Sequence, residues 1–130
     1  MLKWIPMLFA LLLLAGCGAP GVQANPFRQI SMEEAVEWMA GETDYLILDV
    51  RTPEEYRAGH IPGAVNIPNE TIGREEIPAL PDKEQLILVY CRSGNRSVQA
   101  SEKLAALGYT NIVEFGGIIH WPGETVPGDA

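Results

Sequence analysis

The 130-residue chain is poor in the side chains that build metal and redox centres. It has two cysteines, Cys17 and Cys91, and two histidines, His60 and His120. Their spacing excludes a Cys-x-x-Cys redox pair and a cysteine-based zinc cluster, so no metal is expected and no cofactor is assigned. Cations are scarce too: nine basic against 17 acidic residues, a formal charge of −8. Such a chain is not drawn to nucleic acid, and no nucleic-acid partner is expected. The acidity reads as solubility. Long apolar runs are also missing. The run from Ile5 to Ala15, broken at Pro6, falls short of the roughly twenty residues that a membrane helix needs. It has the length of a signal-peptide core. There are no internal repeats and no low-complexity tract.

What is present centres on Cys91-Arg92-Ser93-Gly94-Asn95-Arg96-Ser97. The apolar run Gln85–Tyr90 before it predicts a buried strand. Ser97–Leu107 after it predicts a helix, with Val98, Leu104, Ala105 and Leu107 on one face and Gly108 as a left-handed stop. The cysteine therefore stands where a strand ends and a helix begins. Unpaired N–H groups at a helix start favour an anion, as does the helix dipole. Arg92 and Arg96 add positive charge, and Gly94 lets the backbone curl inward. An isolated cysteine is mostly thiol at neutral pH, with a pKa of about 8.5; this setting favours a nucleophilic thiolate. A small buried cysteine at a strand end would be inert packing. Two arginines, a glycine and a helix start in the same loop favour reactivity.

This stretch resembles the C-x-x-G-x-R-S/A active-site loop of rhodanese-type sulfurtransferases. The run Leu48-Asp49-Val50-Arg51 through Glu54-Glu55-Tyr56, Gly59-His60-Ile61 and Gly63-Ala64-Val65-Asn66-Ile67-Pro68 is similar to that family's second signature. The resemblance spans about Ile30 to Trp121. It implies an α/β rhodanese-like domain, a small, mostly parallel sheet with helices on both faces. It implies that Cys91 takes up a sulfane sulfur as a persulfide and passes it to a thiophilic acceptor. Arg92, Ser93, Gly94, Asn95, Arg96 and Ser97 would bind the substrate. Asp49 and Arg51 would support the loop from the neighbouring strand end, with Asp49 accepting hydrogen bonds from the loop or its arginines. The implied donor is a small anion such as thiosulfate. The implied acceptor is cyanide or a thiol, with an envelope thioredoxin-like protein as a candidate, and the implied state is a monomer. Two other readings compete: a non-catalytic sulfur-carrier or partner-binding domain, and a phosphatase or arsenate-type cysteine enzyme. In the second, the arginine of C-x-x-x-x-x-R would fall where Ser97 stands, and the shorter loop suits a sulfur atom better than a tetrahedral oxyanion.

Leu14-Ala15-Gly16-Cys17 resembles a bacterial lipobox. That implies a lipoprotein signal peptide over 1–16, diacylation of Cys17 with palmitate-type chains, and anchorage to an envelope membrane with the domain outside the cytoplasm. Cys91 would then be the one cysteine left with a thiol. Cleavage would remove Lys3 and leave 114 residues with a formal charge of −9. Residues 17–27 would form the lipidated N-terminus and a flexible tether, 28–122 the rhodanese-like domain and 123–130 a frayed tail.

The rest of the domain alternates strands and helices, which predicts a parallel sheet. Ser31 and Glu34 form a capping-box pattern before a helix carrying Ala35, Val36, Trp38 and Met39. Tyr45–Val50 predicts a second buried strand. Thr52 and Pro53 open another helix, on which Glu54, Glu55 and Arg57 read as surface charges. His60 reads as a structural imidazole rather than a base. Ala64–Pro68 predicts a short strand, Asn69–Leu80 a short helical stretch and Asn111–Phe115 the last strand. Gly116-Gly117-Ile118-Ile119-His120-Trp121 is similar to the family's closing turn, with Ile118 and Ile119 as an apolar rim and Trp121 as packing.

Overall fold

Ile87-Leu88-Val89-Tyr90-Cys91 is apolar at every position because it is covered from both sides. In the computed structural model, which describes residues 26–129, all five of these residues are buried and form the central strand of a parallel sheet. The expected signal peptide, Cys17 and the expected tether up to residue 25 lie outside the described residues. In chain order the elements are β1 (Arg28–Gln29), α1 (Met32–Gly41), β2 (Leu46–Asp49), α2 (Pro53–Ala58), β3 (Val65–Asn66), β4 (Ile87–Cys91), α3 (Asn95–Ala106) and β5 (Ile112–Gly117). Single 3₁₀ turns lie at Asn69–Thr71 and Ile118–His120. The sheet order is β1-β5-β4-β2-β3 and every pairing is parallel.

One core gathers Leu48, Val50, Ile87, Val89, Ala100 and Leu104 between the sheet and α3. The other gathers Ala35, Ile47, Tyr56, Leu88, Tyr90 and Phe115 between the sheet and α1 and α2. Alternate residues of β4 enter opposite cores, as the two-residue repeat of a strand requires. Helices therefore cover both faces, in agreement with the fold expected from sequence.

Three details differ from the sequence reading. First, α3 starts at Asn95, two residues early, because Gly94 takes a left-handed conformation (φ +110°) and turns the chain directly into the helix. Its fully buried stripe is Ser97, Ala100, Ser101 and Leu104; Ala105 and Leu107 are half-buried beside it. Small side chains let the helix start lie close to the sheet. Second, β5 runs on through Gly117, beyond the expected end at Phe115. Val89 pairs with Glu114 and Cys91 with Gly117, so three steps of β5 match two of β4. Gly116, at φ +93°, absorbs this bulge. Third, helix between Asn69 and Leu80 is confined to the turn Asn69–Thr71.

Residues 126–129, within the segment expected to fray, are instead docked. Val126 forms a bridge with His60: each backbone N–H donates to the other's carbonyl, at 3.0 and 2.9 Å. The Gly128 N–H donates to Arg57 O, and Arg57 pairs with Asp129 at 3.0 Å. His60 presents a buried backbone edge, and the tail satisfies it.

Candidate active site

The end of β4, the first turn of α3 and the end of β5 meet at Cys91. Cys91 is a free, buried thiol. The Gly94 N–H donates to Sγ at 3.0 Å, and Sγ lies 3.4 Å from Ser97 Oγ. Of the loop N–H groups expected around the sulfur, the Gly94 amide is the one seen to donate to it among the described residues. Gly117 makes the packing possible. A Cβ there would overlap the Arg92 carbonyl oxygen and stand 2.6 Å from Ser93 Cα. The same Arg92 carbonyl accepts the Ile119 N–H at 3.3 Å, which ties the closing turn to the loop.

The two loop arginines diverge. Arg96 forms a two-pronged ion pair with Glu55 of α2, at 2.6 and 2.9 Å. These bonds bring the Glu55 carboxyl down to about 2, against the opposing effect of partial burial and with help from the Thr52 cap. They also raise Arg96, to which the Cys91 side adds a smaller electrostatic contribution. Sequence reasoning placed Glu55 among surface charges. It is the clamp that holds Arg96, and it closes the capping box with Thr52 at the same time. A glutamate at the third position of a helix signals the box but gives no sign of a partner 41 residues away. Arg92 is exposed, and its guanidinium makes no hydrogen bond or ion pair among the described residues. Ser93 and Asn95 are exposed at the rim.

Asp49, wholly buried, does not reach the loop arginines. It accepts from Arg51 Nε and Nη2, the latter at 2.7 Å, from the Arg51 backbone N–H at 2.9 Å, and from the Tyr90 hydroxyl at 2.7 Å. Burial tends to lower the Arg51 guanidinium, but the bonds and charge of Asp49 outweigh it and raise the group. Burial, then Asp49, pushes the Tyr90 hydroxyl far above its ordinary range. Arg51 also donates to Gly59 O at 2.7 Å. Asp49 and Arg51 therefore brace the strand ends beneath the loop. His60 is wholly buried, stacked on Tyr56 at 3.7 Å between ring centroids, with Nδ1 2.9 Å from Tyr56 O. These two contacts tie the imidazole to α2.

Glu114 was not singled out from the sequence. It is 4% exposed and has no ion pair among the described residues. Its Oε1 lies 2.6 Å from Ser97 Oγ and accepts the Gly116 N–H at 2.7 Å; Oε2 accepts from Gln29 at 3.3 Å. The available signal was a single carboxylate in the otherwise apolar run Ile112–Phe115.

Cavities flank the loop. One of about 360 Å³ is lined by Arg51, Glu55, Gly59, Arg92, Ile118 and Ile119, and places the expected apolar rim beside Arg92. Another, of about 570 Å³, includes Ser93, Phe115, Gly117 and His120. Among the described residues no group of three His, Cys, Asp or Glu side chains is placed to hold a metal ion.

The model of the family described as Rhodanese-like domain matches residues 31–121. The chain is 42% identical over 71 residues to thiosulfate sulfurtransferase PspE of Escherichia coli, covering 55% of this chain and 68% of that protein. It is 34% identical over 111 residues to thiosulfate sulfurtransferase GlpE of Pseudomonas entomophila, covering 82% and 98%. Among solved structures it is similar to a rhodanese with anions from Escherichia coli, with 38% identity, a TM-score of 0.59 and coverage of 65% and 99%. It is also similar to a rhodanese-like domain from Anabaena, with 29% identity, a TM-score of 0.69 and coverage of 76% and 78%.

Proposed function

Because this chain belongs to the rhodanese-like domain family, we propose that it moves a sulfane sulfur from thiosulfate, through a persulfide on Cys91, to cyanide or a thiol. Relatives named thiosulfate sulfurtransferase, 34% and 42% identical, support an enzyme of the sulfurtransferase kind. The observation that carries it is the Gly94 N–H on Cys91 Sγ, at 3.0 Å, at the start of α3.

In the first step the Cys91 thiolate attacks the outer sulfur of thiosulfate. A bond from Sγ to that sulfur forms, the S–S bond of the donor breaks, and sulfite leaves with the bonding electron pair. The Gly94 amide and the helix start stabilise the negative sulfur. Arg92 lines the neighbouring cavity, its guanidinium has no hydrogen bond or ion pair among the described residues, and it is available to the sulfonate oxygens. Arg96 serves differently: tied to Glu55, it holds the first turn of α3 in place and adds positive charge near Sγ. In the second step the acceptor attacks the outer sulfur of the persulfide, the Sγ–S bond breaks, and the thiolate returns. Held by Glu55, the Arg96 guanidinium is not free to wrap a tetrahedral phosphate, which favours sulfur transfer over phosphatase chemistry.

The test is intact mass of the domain before and after thiosulfate. Wild type should gain one sulfur atom, discharged by cyanide as thiocyanate. Cys91→Ser should gain none and lose essentially all turnover while keeping its circular dichroism spectrum. Full turnover in Cys91→Ser would overturn the mechanism.

A further inference from the structure

We propose that Glu114, acting through the Ser97 hydroxyl, takes the proton of Cys91 when the thiol becomes a nucleophile and returns it when the persulfide is discharged. The proposal rests on the sulfur-transfer reading above. Its basis is the continuous contact from Sγ to Ser97 Oγ (3.4 Å) and from Oγ to Glu114 Oε1 (2.6 Å). Ser97 Oγ is also near Gly94 O at 3.0 Å and Gly116 O at 3.5 Å. A hydroxyl has one proton to donate, and the carboxylate is the shortest acceptor and the strongest of the three. With that proton aimed at Glu114, an oxygen lone pair is left facing Sγ. Thiol, hydroxyl and carboxylate are then aligned for two linked proton shifts.

Burial gives the second argument. A carboxylate removed from water without a cation is costly unless it is fully hydrogen-bonded. Glu114 has three donors, and one of them is the residue that touches the reactive sulfur. The two bonds place Glu114 Oε1 within about 6 Å of Sγ, a range in which two negative charges disfavour each other. The pair is therefore expected to hold one negative charge and one proton between them.

The step balances. The relay starts from a Cys91 thiol and a Glu114 carboxylate. On attack the thiol proton passes to Ser97 Oγ as the Ser97 proton passes to Oε1. The Sγ–S bond forms and sulfite leaves with its electron pair. The persulfide is then an anion and Glu114 a neutral acid. When cyanide removes the outer sulfur as thiocyanate, Sγ is left as a thiolate and regains its proton by the same path. The total charge under the start of α3 is the same in both resting forms.

Charged groups on the surrounding elements are engaged elsewhere. Arg28 of β1 lies over Trp38, Tyr90 of β4 bonds Asp49, and on α3 Arg96 bonds Glu55 and Lys103 bonds Asn69. Glu33, Glu34 and Glu37 of α1 and Glu102 of α3 are exposed. None of them has a hydrogen bond or ion pair to Glu114. Ser97 touches the reacting sulfur and is the catalytic partner; Glu114 acts through it as a positioning residue.

The test compares pH profiles of wild type, Glu114→Gln and Ser97→Ala. Two rates are read: persulfide formation with thiosulfate, and alkylation of Cys91 by iodoacetamide, which needs no sulfur donor. In both variants solvent must take the thiol proton, so the acid limb should move to higher pH and the rate should climb about tenfold per pH unit through neutrality. At high pH the variants should recover the wild-type rate. A limb that stays, or moves to lower pH because an anion has been removed, overturns the relay, as does a uniform loss at every pH. These results are distinct from a failure of the sulfur-transfer reading, in which wild type forms no persulfide while its alkylation profile still reports on the proton.

Discussion

Arg96 shows how one side chain can be legible in identity and illegible in role. The motif placed it beside Cys91, and only the folded chain shows that its charge is engaged by Glu55. The pair yields a pH prediction. The Glu55 carboxyl titrates near 2 in the fold against an ordinary 4.5, so its contribution to stability is complete above pH 4.5 and is lost as pH falls towards 2. Glu55→Gln should therefore be less stable than wild type near neutrality, with the gap closing across that window in urea titrations. A gap that stayed constant to pH 2 would show that the ion pair is not its source. Asp49 follows the same pattern. The sequence marked it as a carboxylate in need of partners, and the structure supplies Arg51 and Tyr90 rather than the loop.

At the scale of elements, the site is a meeting of ends. β4 delivers Cys91, the left-handed Gly94 turns the chain into α3, and the bulge in β5 sets Gly117 opposite Cys91. The loop can lie there because Gly117 has no side chain. Gly117→Ala is expected to force Arg92 and Ser93 away, as the added carbon would overlap the Arg92 carbonyl and stand 2.5 Å from its carbon. Overpacking of this kind costs about 1–3 kcal/mol. Activity should fall by more than stability does, since the displaced segment carries the Gly94 amide. Comparing kcat with the urea midpoint separates the two, and an alanine variant with normal kcat would refute the close-approach argument. Apart from the two-residue edge strand β1, the strands and helices were readable from local pattern: Ser31 and Thr52 cap α1 and α2 as their sequences indicate. The bulge was not, because it depends on how two strands 20 or more residues apart settle their register.

For the whole molecule, two predictions concern the chain ends. Ending the chain at Pro122 removes the two bonds to His60, the Gly128 bond to Arg57 O and the pair with Asp129. At about 0.5–1.5 kcal/mol for each backbone bond, the loss should lower the unfolding free energy by a few kcal/mol. An unchanged urea midpoint would mean that the tail contributes nothing. At the other end, the lipobox resemblance leads us to propose a lipid anchor on Cys17. Cys17→Ala should shift the protein from the membrane pellet to the soluble fraction of the expressing cells. Pelleting that persists with the variant would reject the anchor.

Sequence alone sets the α/β class, the order of elements from α1 to β5 and the position of Cys91 between a buried strand and a helix, but not the edge strand β1. These follow from short-range periodicity, caps and turn residues, all of which act within a few positions of one another. It takes the packed fold to show that Glu55 clamps Arg96, that Asp49 braces Arg51 and Tyr90, that Glu114 reaches Ser97, and that the tail closes over His60. The physical reason is common to all four. A buried charge or backbone group must find a partner, and the partner is chosen by what the packed elements bring within hydrogen-bond distance, whatever its distance along the chain.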